Sequence, residues 1–221
     1  MKWHCLRMIF ALMLSANMAQ AQAPDCPSVV GDGGVYVTFA DRFVHYELLD
    51  DGLISERETY FDDDTIYAYR SHPVGVWFES WEIYDDRVID DSHETVSLTG
   101  TPATLPDPAS GVVWNGVETS TYKDGFSTTY TTQIVVDQPT TITIGACRYS
   151  MLPITVNRVD VDEREVIVDA LGYLDTLGIT IYLGYGADVG GPIDYDMPTT
   201  IGVRPPNQFV APTPNSLENP K

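Results

Sequence analysis

The chain of 221 residues carries 32 Asp and Glu against 12 Lys and Arg, a formal net charge of −20 at neutral pH. A field of that sign repels phosphates, which excludes nucleic acid as a partner and disfavours an anionic lipid surface. Large net charge keeps molecules dispersed, so the composition suits a soluble protein of an extracytoplasmic or saline medium.

In chain order, Lys2 and Arg7 flank the start of an apolar run, Met8 to Leu14, which is followed by Ala19-Gln20-Ala21. These are the parts of a secretory signal peptide over residues 1–21, cleaved after Ala21. The run is too short to span a bilayer, and no later segment is long and apolar enough, so no membrane span is expected after signal removal. Cleavage would remove Lys2, Arg7 and Cys5, leaving ten cationic side chains against 32 carboxylates, and two cysteines. In an oxidising periplasm or extracellular space, Cys26 and Cys147 most simply form one disulfide. It would close a loop of about 120 residues, worth roughly 4 to 5 kcal/mol on the chain-entropy account. Zinc would want further Cys or His ligands, and a nucleophilic thiol an activating partner.

From residue 33 the chain reads as short strands: Val35 to Phe39, Phe43 to Leu49, Leu53 to Tyr60, Thr65 to Arg70 and Val74 to Tyr84. Asp50-Asp51-Gly52, Asp62-Asp63-Asp64 and Asp85-Asp86 punctuate them, since these residues bond their own backbone or tolerate left-handed geometry. Connections this short imply antiparallel neighbours. After a loop over Gly100 to Ser110, strands resume at Val112 to Val117 and Glu118 to Tyr122, with Asn115-Gly116 as a candidate turn. Phe126 to Tyr149 reads as one β-hairpin turning at Asp137-Gln138-Pro139, because β-branched residues dominate both arms. Ile154 to Val161, Glu165 to Tyr173 and Ile179 to Tyr185 follow, and Val166, Ile167 and Val168 in series favour strand over helix. Five prolines between Arg204 and Lys221 predict a disordered tail over residues 204–221.

About ten strands with no helix predict one all-β domain over residues 22–203, an antiparallel meander forming a barrel or strongly curved sheet; the alternative is a two-sheet β-sandwich. The segment Gly145-x-Cys147-x-Tyr149-x-x-x-Pro153, with Gly172-Tyr173-Leu174-x-x-Leu177-Gly178, resembles the closing strands of uncharacterised secreted β-rich bacterial proteins. At the level of pattern the chain also resembles the curved sheets of periplasmic lipoprotein carriers. That resemblance implies a concave apolar face able to hold acyl chains, and no site residue carries over from it.

No catalytic signature stands above its structural explanation. Ser92-His93-Glu94 has triad residue types, but neighbours on an extended chain point to opposite faces. Glu79 and Glu82 flank Trp81 as in carbohydrate sites, yet a strand puts residues three apart on opposite faces. Asp160-Val161-Asp162-Glu163-Arg164-Glu165 begins like a calcium loop, then places Arg164 and Glu165 where an oxygen ligand and a glycine belong. No cofactor or metal is therefore expected. The candidate ligand-binding residues are Tyr67, Tyr69, Trp77 and Trp81, whose alternation predicts one aromatic face on neighbouring strands. The expected function is a secreted or periplasmic, non-enzymatic binding module for an apolar or acyl-containing small molecule. The alternative is a module contacting an envelope protein through an exposed patch, and a hydrolase or glycosidase ranks behind both.

Overall fold

The computed structural model describes residues 26–101 and 104–206; the expected signal peptide over 1–21, and the expected tail from residue 207 onward, lie outside the described residues. Fifteen strands form a single antiparallel sheet, more than the ten or so expected. They are β1 Val35–Thr38, β2 Arg42–Leu48, β3 Ile54–Tyr60, β4 Ile66–His72, β5 Val76–Tyr84, β6 Arg87–Val88, β7 Glu94–Thr101 and β8 Val113–Tyr122. Then come β9 Ser127–Val136, β10 Thr140–Ile144, β11 Cys147–Asp160, β12 Val166–Leu174, β13 Ile179–Gly186, β14 Asp194–Tyr195 and β15 Thr200–Gly202. The additional strands are short or polar: β6, β14 and β15 have two or three residues each, and β7 (ETVSLTGT) alternates just Val96 and Leu98 with Ser and Thr.

The order β14-β13-β12-β11-β9-β8-β7-β5-β4-β3-β2-β1-β15 is a meander, with β10 added to β11 and β6 to β5. The ladder does not close, so the expected barrel is corrected to an open sheet with β14 and β15 at its edges. These edge strands are consecutive in the chain, so residues 196–199 cross the seam between them. Pairing of β14 stops after two residues, Asp194 and Tyr195; the Thr199 N–H then bonds Thr38 O at 2.7 Å on the other side. The curl brings the early strands over the late ones. One apolar cluster joins Val35, Val44, Tyr46 and Ile54 to Ile144, Leu174, Ile179 and Ile181, and a second joins Val74 and Val76 to Trp114, Ile134, Ile154 and Val156.

Three local expectations change. The stretch from Phe126 to Tyr149 is not one hairpin: Gly145-Ala146 turns β10 directly onto the first half of β11, with Ile144 opposite Cys147. β9 instead pairs with the second half, Val136 opposite Ile154. A strand of 14 residues is long enough to take both partners in tandem along one edge. Second, Asn115-Gly116 is not a turn but lies within β8, where Gly116 faces Gly100 across the ladder. Both positions give way to the fully buried indole of Trp114, since a Cβ on either would sit 2.2 Å from its ring carbons. Third, β5 carries a bulge: Arg70 pairs with Glu79 but Ser71 with Trp77, leaving Phe78 as the extra residue. A bulge of one residue reverses which face the rest of the strand presents.

The expected disulfide is present. Cys26 and Cys147 are bonded with Cα atoms 5.4 Å apart, tying the start of the described chain to β11. The turn Asp85-Asp86 has positive φ at both residues, 50° and 57°, the mirror-image geometry that matches strand twist in two-residue hairpins. At the β4–β5 turn Gly75 has φ +84°, and a Cβ there would lie 2.0 Å from Leu171 Cδ1. Only glycine lets this turn descend onto β12, where Thr180 of the adjoining β13 also hydrogen-bonds Pro73 O.

Candidate functional site

Between the two halves of the curled sheet lies a cavity of about 530 Å³, lined from β2, β3, β4, β5 and β7 on one side and from β12 and β13 on the other. Its position follows from strand register. Tyr46 of β2 stands opposite Glu56 of β3, Glu56 opposite Tyr69 of β4, Tyr69 opposite Ser80 of β5, and Ser80 opposite Glu94 of β7. Cross-strand partners share a face, so these five residues form one continuous row along the cavity wall.

Four carboxylates line the space, Glu56, Glu58, Glu94 and Asp169, against the single guanidinium of Arg42. Their partners differ. Glu58 faces Arg42, whose Nε lies 2.5 Å from Glu58 Oε1 but off the hydrogen-bonding direction, so the contact is an ion pair rather than an aligned hydrogen bond. Arg42 also reaches Asp196 at 2.5 Å and Asp41 at 3.0 Å, and stacks over the Phe39 ring with Cζ 4.2 Å from its centroid. Asp169 is held by Nη1 of Arg158, a buried side chain whose Nε donates to Glu118 at 2.9 and 3.0 Å. Glu94 accepts from the Ser80 hydroxyl at 2.9 Å, and Glu56 has the Ser71 hydroxyl. Among the described residues no cationic side chain pairs with Glu56 or Glu94.

The electrostatic consequence is uniform. Burial raises the pKa of Glu56 to about 7, the Ser71 hydrogen bond working against the rise and the Glu58 charge with it. Glu56 is only half-buried by surface area because it faces the cavity, yet it stands deep beneath bulk solvent. Burial also pushes Glu58 and Asp169 upward, with Arg42 and Arg158 respectively opposing the shift. The phenol of Tyr69 is raised by burial and by the charges of Glu58 and Glu56, and that of Tyr60 is raised to about 12 by burial and Glu58. For Arg158, burial favours the neutral form and is outweighed by Glu118 and Asp169, which raise its pKa. Every perturbed carboxyl and phenol here moves in the direction that resists further negative charge.

Of the four expected ligand residues, Tyr69 and Trp77 line the cavity, their ring centroids 6.0 Å apart. Tyr67 shares the inner face, opposite Glu58 and Glu82, but lies outside the lining, with its hydroxyl bonded to Asp63 at 3.2 Å. Trp81 is on the opposite, outer face, paired with Ala68 and 6.3 Å from the ring of His93. Strict alternation put Trp77 and Trp81 together; the bulge at Phe78 separates them. Trp77 also lies under Arg158, whose Cζ is 5.1 Å from the ring centroid, and its buried Nε1 has no acceptor among the described residues.

The other motifs have local roles. Ser92 Oγ donates to Ile89 O and accepts from Glu82 N, closing the turn before β7. Asp160 accepts the N–H groups of Asp162 and Glu163, each at 2.7 Å, and so caps the β11–β12 turn. Among the described residues no three His, Cys, Asp or Glu side chains are grouped to hold a metal ion.

Sequence reasoning missed the residues that give the cavity its character: Arg42, Glu56, Glu58, Glu94, Asp169 and, behind them, Arg158. A signal existed. Glu56, Glu58 and Tyr60 are in phase with the core residue Ile54, and Arg158 is in phase with Ile154 and Val156. Charged residues at core-phase positions mark a polar interior site. Comparison of the chain with protein-family models, with curated proteins and with solved structures finds no match.

Proposed function

We propose that this protein is an exported, non-catalytic binding module that holds a small polar ligand in the cavity between the two halves of its sheet. The observation that carries the reading is the cavity itself: about 530 Å³, walled by Tyr69, Trp77, Tyr182 and Phe39, with unevenly compensated carboxylates among them. That size and mixture of aromatic walls with a few placed charges is typical of small-molecule sites. Export is supported by the Cys26–Cys147 disulfide, which persists in oxidising compartments, and by the signal-like residues 1–21. No helix among the described residues is long and apolar enough to cross a membrane. The carboxylates among the aromatic walls favour a ligand that carries polar groups over the purely apolar or acyl one expected from sequence.

The test is mass spectrometry of protein purified natively from its host, with the small molecules released on denaturation, compared with a Ser80→Trp variant that fills the space between Tyr69 and Glu94. A molecule carried by the parent and absent from the folded variant supports the reading. Identical, empty spectra from both proteins refute it.

A second reading, acid–base catalysis, is favoured by Glu56 and Glu58 projecting from one face of β3, one carboxyl ionising near neutral pH and the other held by Arg42. It predicts turnover of a glycoside or ester that is abolished by Glu56→Gln, where the binding reading predicts none.

A further inference from the structure

We propose that the cavity's ligand is a linear organic cation with an ammonium group at each end, a diamine or polyamine, lying along the row Glu56–Tyr69–Ser80–Glu94. The inference rests on the reading of the cavity as a binding site and names what it binds.

The charge distribution selects a cation. Glu58 and Asp169 already face guanidinium groups, whereas Glu56 and Glu94 have, among the described residues, only the hydroxyls of Ser71 and Ser80 as side-chain partners. These two carboxylates stand at opposite ends of one register row, three strand spacings apart. At about 4.8 Å per spacing their backbones are about 14 Å apart, and the hydrogen bonds to Ser71 of β4 and Ser80 of β5 draw the two carboxylates inward from that span. A single ammonium reaches one of them; two, joined by a chain of up to about eight methylenes, fit within that span and reach both.

The wall between the two ends fits such a stem. Tyr69 and Trp77, tilted 54° to one another, offer aromatic faces to methylene groups and to cationic nitrogen. Anions are opposed twice, by the cavity carboxylates and by the net charge of the chain, which draws polycations toward the protein over distance.

Binding is linked to a proton. The groups facing Glu56 are Tyr46 of β2, Glu58 of its own strand and Tyr69 and Ser71 of β4, with Arg42 beside Glu58 and with Asp169 and Tyr182 across the cavity. An ammonium beside Glu56 stabilises its ionised form, so binding expels the proton and affinity rises with pH through about 7.

Isothermal titration of the mature protein with octamethylenediamine, ethylenediamine, octylamine and octanediol tests the assignment, above the pH at which Glu56 ionises. Octamethylenediamine should bind at least tenfold more tightly than either ethylenediamine or octylamine, and octanediol should not compete. Glu94→Gln should reduce the long diamine to the affinity of octylamine while leaving octylamine unchanged. Affinity independent of chain length, or octylamine equal to the diamine, overturns the two-site cation. Octanediol binding as tightly as the diamine overturns the cationic class while the cavity remains a binding site. Failure of all four probes, with no molecule released from natively purified protein, overturns both.

Discussion

Replacing Glu56 by Gln should stabilise this protein, and should do so in a pH-dependent way. The Glu56 carboxyl has a folded pKa of about 7, against about 4.3 for an unperturbed glutamate. The folded state therefore binds this proton more tightly than the unfolded chain does. The sign follows: stability conferred by the proton is present at low pH and is lost as pH rises from about 4 to 7. A shift of this size corresponds to roughly 3 to 4 kcal/mol at pH 8 and about 1 kcal/mol at pH 5, before a reduction for the open cavity in front of the carboxyl. Gln is uncharged, nearly isosteric and keeps a partner for the Ser71 hydroxyl. Urea unfolding of parent and variant between pH 5 and pH 9 gives the difference directly. The variant should gain roughly 2 kcal/mol more at pH 8 than at pH 5, and the gain should level off above the folded pKa. A pH-independent difference, or a variant less stable at pH 8, would refute the view that Glu56 is a carboxylate held against its preference.

Arg158→Met should cost roughly 3 to 5 kcal/mol, because it strands Glu118 and Asp169 in the interior, and adding Glu118→Gln and Asp169→Asn should recover much of the loss in denaturant titrations. Gly116→Ala should destabilise by about 1 to 3 kcal/mol, since its Cβ would meet Trp114 at 2.2 Å; an unchanged unfolding midpoint would show that the ring has room to move. Thiol titration of the denatured chain from residue 22 onward should find no free cysteine until reductant is added, and reduction of this bond, with a sequence separation of 121, should cost roughly 4 to 5 kcal/mol. Trp81→Ala should leave binding of any cavity ligand unchanged, because the ring lies on the outer face beside His93, whereas Trp77→Ala should weaken it severalfold in the same titration.

Much of the architecture was readable along the chain. Thr, Val and Ile alternate between Asp- and Gly-rich turns, and most of the expected strands are present within a residue or two of their ends, whereas Val112–Val117 and Glu118–Tyr122 merge into β8 and the segment 140–161 is divided instead into β10 and the long β11. Short turns force antiparallel neighbours, so the meander follows from connection length alone. The two cysteines left after residues 1–21 have only each other to pair with, and they do. What could not be read there has one physical origin. A period of two assigns residues to a face of a strand, but it says neither which face turns inward nor where a bulge reverses the phase. Phe78 shifts β5 by one residue, so Trp81 leaves the cavity wall and Ser80 enters it. Gly145 folds β10 back onto β11, so the expected hairpin partner β9 pairs elsewhere. Glu56 and Glu94, nearly forty residues apart in the chain, meet in one row only because three ladders align them, and Asp169 faces them only because the sheet curls. Long-range register and curvature are collective properties of many strand pairs, and they decided that Tyr69 and Trp77 share a cavity with four carboxylates.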